Sequence, residues 1–178
     1  TATSSFVLED GRYVIGGGYV FTGYLVRIDS SLSVETFDYP PPVEYSAFRR
    51  FYDLALLDGK IFGVGREKEN PGPEETDGAL YEIDLSLYGG FIEEIPVGDS
   101  PYGGAKSLVV SQDGGVVIPV KTQNKATLLK IKNKKIEWVK PYENNYSLGA
   151  GTSIANTNDG GFDVCGSASR EDKDVYVA

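Results

Sequence analysis

A strand–turn–strand unit built around an Asp-Gly pair occurs four times in this chain, and it constrains the fold more than any other feature. The four aspartates are separated by 48, 55 and 46 residues, and the pairs are Asp10-Gly11, Asp58-Gly59, Asp113-Gly114 and Asp159-Gly160. A short apolar stretch follows each pair. Asp-Gly is typical of tight hairpin turns, because these residues tolerate positive φ. The pattern therefore predicts four β-hairpins at regular intervals.

Two further strands follow each of the first three hairpins. The third strand reads YLVRID from Tyr24, ALYEID from Ala79 and TLLKIK from Thr127, and a closing fourth strand comes after each. Four strands that recur with a period of about 45 to 50 residues are typical of β-propeller blades, which stack on one another to bury both faces. A β-sandwich also has short, evenly spaced strands, but it does not require the same strand–turn–strand phrase at fixed intervals.

The predicted fold is therefore all-β, a β-propeller with about four four-stranded blades in this chain. We assign the blades to residues 3–37, 51–97, 105–141 and 152–178, within one propeller or propeller fragment that covers residues 1–178. Tyr176 aligns with Tyr24, so the last blade is expected to lack its closing strand. An unclosed blade exposes unpaired backbone groups. We therefore expect a further segment or a neighbouring chain to complete it, in a ring with more blades.

The fourth repeat carries the most specific pattern in the sequence. It reads TNDGGFDVCGSASREDKDVYVA, and Trp138 lies in the closing strand of the repeat before it. These residues resemble the T-x-D-G-G-aromatic repeats and Trp-containing closing strands of secreted or surface β-propellers that are abundant in archaea and some bacteria. The first repeat departs from that pattern, because no second Gly follows Asp10-Gly11. The resemblance implies a propeller in an extracellular or cell-surface location, and it implies no functional residues.

The composition excludes several kinds of chemistry. The chain has no His and one Cys, which rules out Ser-His-Asp and Cys-His nucleophile systems and zinc sites built on His or paired Cys. The net charge of −9 argues against a nucleic-acid partner. No apolar run approaches the roughly 18 residues that a membrane helix needs. We predict no catalytic residue, no metal site, no cofactor and no insertion into a membrane.

The predicted topology selects one face for binding. In a propeller, the loops between blades emerge on one face, here called the connector face, and the Asp-Gly turns emerge on the opposite one, the turn face. The loops between blades include residues 38–50, and they carry Tyr and Arg, which are enriched at binding hot spots. The predicted binding residues are Tyr45, Arg49, Arg50, Tyr52, Tyr102, Asn145 and Tyr146. We expect a ligand on the connector face rather than the turn face.

The sequence favours a non-enzymatic binding or scaffolding module with a protein or carbohydrate partner. One alternative is a carbohydrate-active enzyme that uses carboxylates and Tyr on the connector face, and a deep pocket with two carboxylates would favour it. The other alternative is a structural subunit of a surface layer or filament, and large apolar contacts between copies would favour that one.

Overall fold

The described part of the chain consists of four antiparallel β-sheets that follow one another in the sequence. The computed structural model describes residues 2–19, 22–39, 48–68, 78–84, 91–95, 105–122, 125–141, 147–169 and 173–177. Within these ranges there is no helix, which confirms the all-β class. Each sheet pairs its strands in chain order, so every connection inside a sheet links neighbouring strands.

The strands are as follows. The first sheet contains β1 (Ala2–Val7), β2 (Tyr13–Tyr19), β3 (Thr22–Ile28) and β4 (Val34–Tyr39). The second contains β5 (Phe48–Leu57), β6 (Lys60–Lys68), β7 (Gly78–Asp84) and β8 (Phe91–Ile95). The third contains β9 (Val109–Val110), β10 (Val116–Thr122), β11 (Lys125–Lys132) and β12 (Lys135–Pro141). The fourth contains β13 (Ser147–Asn156), β14 (Phe162–Ser169) and β15 (Lys173–Val177), which is three strands among the described residues.

All four Asp-Gly pairs form the predicted turns, but in two geometries. Three of the turns share one form, in which the glycine N–H donates to the carbonyl three residues earlier: Gly11 to Leu8, Gly114 to Ser111 and Gly160 to Thr157. The remaining turn has only two residues, because Leu57 pairs directly with Lys60. Asp58 and Gly59 then both take positive φ, at 51° and 75°. This is the backbone that suits the twist of a hairpin.

A second two-residue turn joins β11 to β12. Asn133 and Lys134 have φ of 52° and 60°, and Lys132 pairs with Lys135 across the turn. Asn-Gly is the favoured sequence for such a turn, because a Cβ makes this left-handed conformation cost roughly 1–2 kcal/mol. The chain therefore holds a lysine where backbone energetics favour glycine.

The sheets stack face to face in chain order, and one apolar cluster fills each of the three junctions between consecutive sheets. The first junction contains Val14, Leu25, Phe51, Leu54, Ile61, Tyr81 and Ile83. The second contains Phe62, Val64, Leu80, Ala105, Leu108, Val116, Ile118, Val120, Leu129 and Ile131. The third contains Val117, Leu128, Ile154 and Val164. The second and third sheets thus contribute buried side chains from both of their faces.

The first strands of consecutive sheets also contact one another, β1 with β5, β5 with β9 and β9 with β13. These first strands form what we call the inner line of the stack, and a set of hydrogen bonds centred on Asp53, here called the polar joint, lies along it. Asp53 of β5 accepts hydrogen bonds from the hydroxyls of Ser4 (2.7 Å) and Ser107 (2.9 Å). The N–H groups of Leu54 and Leu108 donate to the same carboxylate, at 2.9 and 3.1 Å. One side chain thereby links the inner edges of three sheets.

The strand register shows that this joint repeats. Four equivalent residue pairs lie at the hairpin ends, and they are Val7–Tyr13, Leu56–Ile61, Val110–Val116 and Asn156–Phe162. In the second hairpin one further pair, Leu57–Lys60, lies between this pair and the turn. Three residues before the first member of each equivalent pair stand Ser4, Asp53, Ser107 and Ser153. The same inner position therefore carries a hydroxyl in three sheets and a carboxylate in one. The carboxylate is the acceptor that the hydroxyls on either side need.

We expect Asp53→Ala to lower the free energy of unfolding by about 2–3 kcal/mol, because hydrogen bonds to a charged acceptor are worth about 1.5–3 kcal/mol and partly buried donors lose their partner. Ser153→Ala is the matched control at the equivalent position. Its side chain is exposed, so the change should stay within about 0.5 kcal/mol. Urea unfolding followed by circular dichroism measures both. Equal effects of the two substitutions would contradict the role of Asp53.

We expect Lys134→Gly to raise the free energy of unfolding by up to about 1 kcal/mol. Glycine removes the strain of a Cβ at positive φ, but part of this gain is lost because a glycine loses more conformational entropy on folding. Lys134→Ala separates backbone from charge, because it loses the ammonium group but keeps the Cβ. No gain is expected from it. A stabilisation by alanine as large as that by glycine would show that charge repulsion, and not backbone strain, is being relieved.

Candidate functional site

A cleft of about 350 Å³ lies where the second and third sheets meet on the turn face. The Asp58-Gly59 turn and β6–β7 form one wall, and the Gly114-Gly115 turn with the Asn133-Lys134 turn forms the other. The lining residues are Leu57, Asp58, Lys60, Phe62, Glu82, Gly114, Gly115, Val116, Ile131, Lys132, Asn133 and Lys134. The volume lies within the range of about 300–1,000 Å³ that is usual for small-molecule sites.

The floor of the cleft is apolar. Phe62, Val116 and Ile131 are buried, and all three belong to the cluster that joins the second and third sheets. Gly115 packs against the backbone here, because a Cβ on it would stand 2.8 Å from the carbonyl oxygen of Ile131. The cleft is therefore an opening at the end of a tightly packed junction.

The rim carries three lysines and a largely buried carboxylate. The Nζ atom of Lys60 lies 2.5 Å from Oε1 of Glu82, while the Nζ atom of Lys134 lies 3.9 Å from Oε2. The Glu82 side chain is only 14% exposed. Lys132 donates to the carbonyl oxygen of Asp113 at 2.8 Å. The Lys134 contact is too long for a hydrogen bond, so this ammonium group and Oε2 of Glu82 face each other across a gap.

Glu82 occupies a position that is charged in each of the first three sheets. Arg27 pairs with Val14, Glu82 with Phe62 and Lys130 with Val117 in the strand register, which makes the three equivalent. All three side chains are poorly exposed, at 17%, 14% and 4%. Each has an oppositely charged partner: Glu35 for Arg27, Lys60 for Glu82, and Asp113 and Glu137 for Lys130. Charge at a sheet junction is therefore compensated locally.

The Lys130 ion pair shifts the pKa of its partner. Nζ of Lys130 lies 2.5 Å from Oδ2 of Asp113 and 2.8 Å from Oε2 of Glu137. The hydrogen bond from Lys130, together with one from Ser111, lowers the pKa of Asp113 from 3.8 to about 2. Burial by itself lowers the pKa of Lys130, but the hydrogen bonds to the two carboxylates outweigh it and raise this pKa. Asp113 and Lys130 are therefore both charged at neutral pH.

Three other turn carboxylates, Asp10, Asp29 and Asp159, are also stabilised in the charged form. The guanidinium and N–H of Arg12 lower the pKa of Asp10, and the hydroxyl of Ser31 and the N–H of Ser33 lower that of Asp29. The hydroxyl of Thr157 lowers the pKa of Asp159. These aspartates close turns, and none of them shows the raised pKa that a general acid needs.

The structure describes only three of the seven predicted binding residues. Arg49 and Arg50 lie within β5 and pair with Glu67 and Arg66. The prediction that both belong to the connector 38–50 is therefore wrong, because the strand already begins at Phe48. Tyr52 is half-buried and lies at the irregularity in register between Phe51 and Asp53. The remaining four, Tyr45, Tyr102, Asn145 and Tyr146, lie outside the described residues.

Sequence reasoning missed the cleft. The lysines from residue 121 to 140 look like the solvated edge of a hairpin, and no motif connects them to Lys60 or Glu82. The useful signal was the Asn133-Lys134 pair, where a turn needing positive φ carries a lysine. A non-glycine residue at positive φ carries a backbone cost, and such strained positions cluster at functional sites.

Comparison with known proteins identifies the architecture. No family model and no curated protein matches the sequence. Among solved structures, the chain is similar to selenomethionine-substituted virginiamycin B lyase from Staphylococcus aureus, a β-propeller enzyme, with a TM-score of 0.57 and 14% sequence identity. This chain has a propeller-like fold. The match covers 99% of this chain and 54% of that chain, so the chain spans about half the length of the protein it matches.

The described residues contain no group of three or more His, Cys, Asp or Glu side chains placed to hold a metal ion. They also contain no helix with the length and apolar character needed to cross a membrane.

The Asp113–Lys130 ion pair predicts a loss of stability in acid. The pKa of Asp113 is lower in the folded chain than the ordinary 3.8, so its contribution is complete above pH 3.8 and is lost as the pH falls towards about 2. Thermal melts between these pH values should show this loss, and Asp113→Asn should make the curve shallower there. Carboxyl ¹³C NMR gives the pKa directly, and titration of Asp113 at an unshifted value would refute the assignment.

Proposed function

We propose that this chain is a non-enzymatic binding module on a propeller-like scaffold, and that the cleft between its second and third sheets binds a small carboxylate-bearing molecule. The observation that carries the proposal is the combination of an apolar floor with the ammonium groups of Lys60, Lys132 and Lys134 at one opening. A ligand with an anionic head and an apolar body matches both parts.

The geometry of the rim explains how an anion would be held. Lys60 is already neutralised by Glu82 at 2.5 Å, so it supports the site rather than supplying its charge. The Lys134 ammonium lies 3.9 Å from Glu82 and places a further positive charge at the same opening. Lys132 adds another ammonium whose described acceptor is a backbone carbonyl. Charge-assisted hydrogen bonds of this kind are stronger than neutral ones.

The apolar floor supplies the second part of the affinity. Burial of apolar ligand surface contributes roughly 25 cal/mol per Å², and Phe62, Val116 and Ile131 offer such a surface already packed in place. The floor needs little rearrangement on binding because the adjoining junction is tightly packed. Preorganisation of this kind limits the entropy lost on association.

The cleft lies on the turn face, whereas the sequence predicted a ligand on the connector face. The connector-face site, with a protein or carbohydrate partner, stays a prediction because most of its residues lie outside the described part. An extracellular or cell-surface location is also part of the proposal, and it rests on the resemblance of the repeats. The carbohydrate-active enzyme remains the sequence-based alternative, and no described carboxylate pair favours it over binding.

A subunit of a larger assembly is the second candidate function. The exposed apolar side chains of the first sheet favour it: Val7, Tyr13 and Val34 are 53%, 54% and 58% exposed. An exposed row of this kind on a sheet is typical of an interaction surface.

Phenylacetate is a suitable probe for the cleft, because it has one carboxylate and one apolar ring. We expect it to shift the amide resonances of Gly114 and Gly115 in ¹⁵N NMR spectra. Lys132→Gln and Lys134→Gly should each raise its dissociation constant about tenfold, equivalent to about 1.4 kcal/mol. The Lys134→Gly protein should at the same time be the more stable one, which separates loss of binding from loss of fold.

Two controls make the experiment specific. Lys106→Gln removes an exposed lysine outside the cleft and should leave the affinity unchanged. Benzyl alcohol keeps the ring without the carboxylate and should bind more weakly than phenylacetate. Equal binding of the two compounds, or the same loss of affinity from Lys106→Gln, would exclude an anion site in the cleft.

A further inference from the structure

The three junctions between sheets are built from the same three positions. Each sheet has a forward face, towards the next sheet in the chain, and a rear face, towards the preceding one. In the first junction, forward-facing Val14 packs in one cluster with rear-facing Leu54 and Ile61. The equivalent residues are Phe62 with Leu108 and Val116 in the second junction, and Val117 with Ile154 and Phe162 in the third.

The register fixes this equivalence. The forward-face residues pair with the inner strand one step from the four equivalent pairs described above, at Val14–Phe6, Phe62–Ala55 and Val117–Val109. On the rear face, one residue lies on the inner strand two positions before the first member of the equivalent pair, and the other is the second member of that pair. All three junctions are therefore apolar at the same place.

Two faces of the described chain have no sheet against them, and the same positions are polar there. The forward position of the fourth sheet is Asp163, which pairs with Ala155 and is exposed. The rear positions of the first sheet are Ser5, which is exposed, and Tyr13, which is 54% exposed. A carboxylate thus stands on one open face and two hydroxyl groups stand at the matching positions of the other.

We propose that a second copy of this chain closes the ring, with the fourth sheet of each copy packed on the first sheet of the other. Asp163 of one copy then accepts hydrogen bonds from the hydroxyls of Ser5 and Tyr13 of its partner. The exposed Val7 and Val34 become partly covered in the same contact, as Leu56 and Ile136 at equivalent positions are partly buried against their junctions.

The chemistry of the contact distinguishes this partner from an apolar surface. A buried carboxylate without hydrogen bonds is costly, so Asp163 would oppose packing against Leu and Ile at the positions of Ser5 and Tyr13. Two hydroxyl donors remove that penalty. The pairing is therefore specific, because none of the apolar forward positions, Val14, Phe62 and Val117, would satisfy those hydroxyls.

The size of the assembly agrees with a closed ring. The chain covers 54% of the β-propeller that it matches, so two copies have about the length of one such protein. Four sheets from each copy make a ring within the usual range of about four to eight blades. Two identical contacts related by a two-fold axis close it without free faces.

Analytical ultracentrifugation tests the proposal across about a hundredfold range of protein concentration. We expect a dimer of twice the 19.3 kDa chain mass. Asp163→Lys and Tyr13→Lys should each raise the dimer dissociation constant at least about tenfold. Asp163→Lys combined with Ser5→Asp places opposite charges across the contact and should restore the dimer.

Val139→Lys is the matched control, since Val139 is an apolar side chain that is 47% exposed on the third sheet. It should leave the association unchanged, and circular dichroism melts of each variant establish that the fold is kept. A chain that stays monomeric throughout the concentration range overturns the proposal, because something other than a second copy must then cover the first sheet. A dimer that survives both Asp163→Lys and Tyr13→Lys overturns it equally.

Discussion

A four-stranded sheet that is apolar on both faces cannot bury itself, and this constraint organises the whole chain. The second sheet shows it most clearly, because Ile61 and Ile83 pack towards the first sheet while Phe62 and Leu80 pack towards the third. Each such sheet depends on neighbouring sheets to cover its apolar faces. The hairpin turns, the polar joint at Asp53 and the ion pairs at the junctions all serve this stacking, since they fix which residues meet and keep charge compensated where sheets touch.

Much of this arrangement was readable in the sequence. The Asp-Gly pairs predicted the hairpins, because positive φ at these positions has few alternatives, and the recurrence of the unit predicted small sheets in series. The start of β5 was not predictable, since Arg49 and Arg50 look like connector residues and are placed in a strand only by pairing with β6. The role of Asp53 was hidden as well, because only the strand register and the contacts between sheets bring it to the position that Ser4 and Ser107 occupy in their sheets.

The cleft illustrates a kind of site that sequence reasoning finds poorly. Its walls come from turns far apart in the chain, at Asp58-Gly59 and at Asn133-Lys134. The opening exists only where turns of two stacked sheets come together above a packed floor. A local pattern carries no information on that arrangement. The one local sign of the cleft is Lys134, whose positive φ costs backbone free energy. Its relevance becomes clear only in the structure, where its ammonium group lies 3.9 Å from the Glu82 carboxylate.

The single carboxylate at the inner line makes the repeats distinguishable from one another. Ser4 and Ser107 each donate to Asp53, so the second sheet suits neighbours that present a hydroxyl at this position. Moving the second sheet elsewhere would leave Ser4 and Ser107 without that acceptor, and two Asp-bearing sheets side by side would set like charges against each other. The second repeat is therefore not interchangeable with the others. A duplicated copy of it would have the right shape but would bring two carboxylates together, so the sequence encodes the position of this repeat as well as its form.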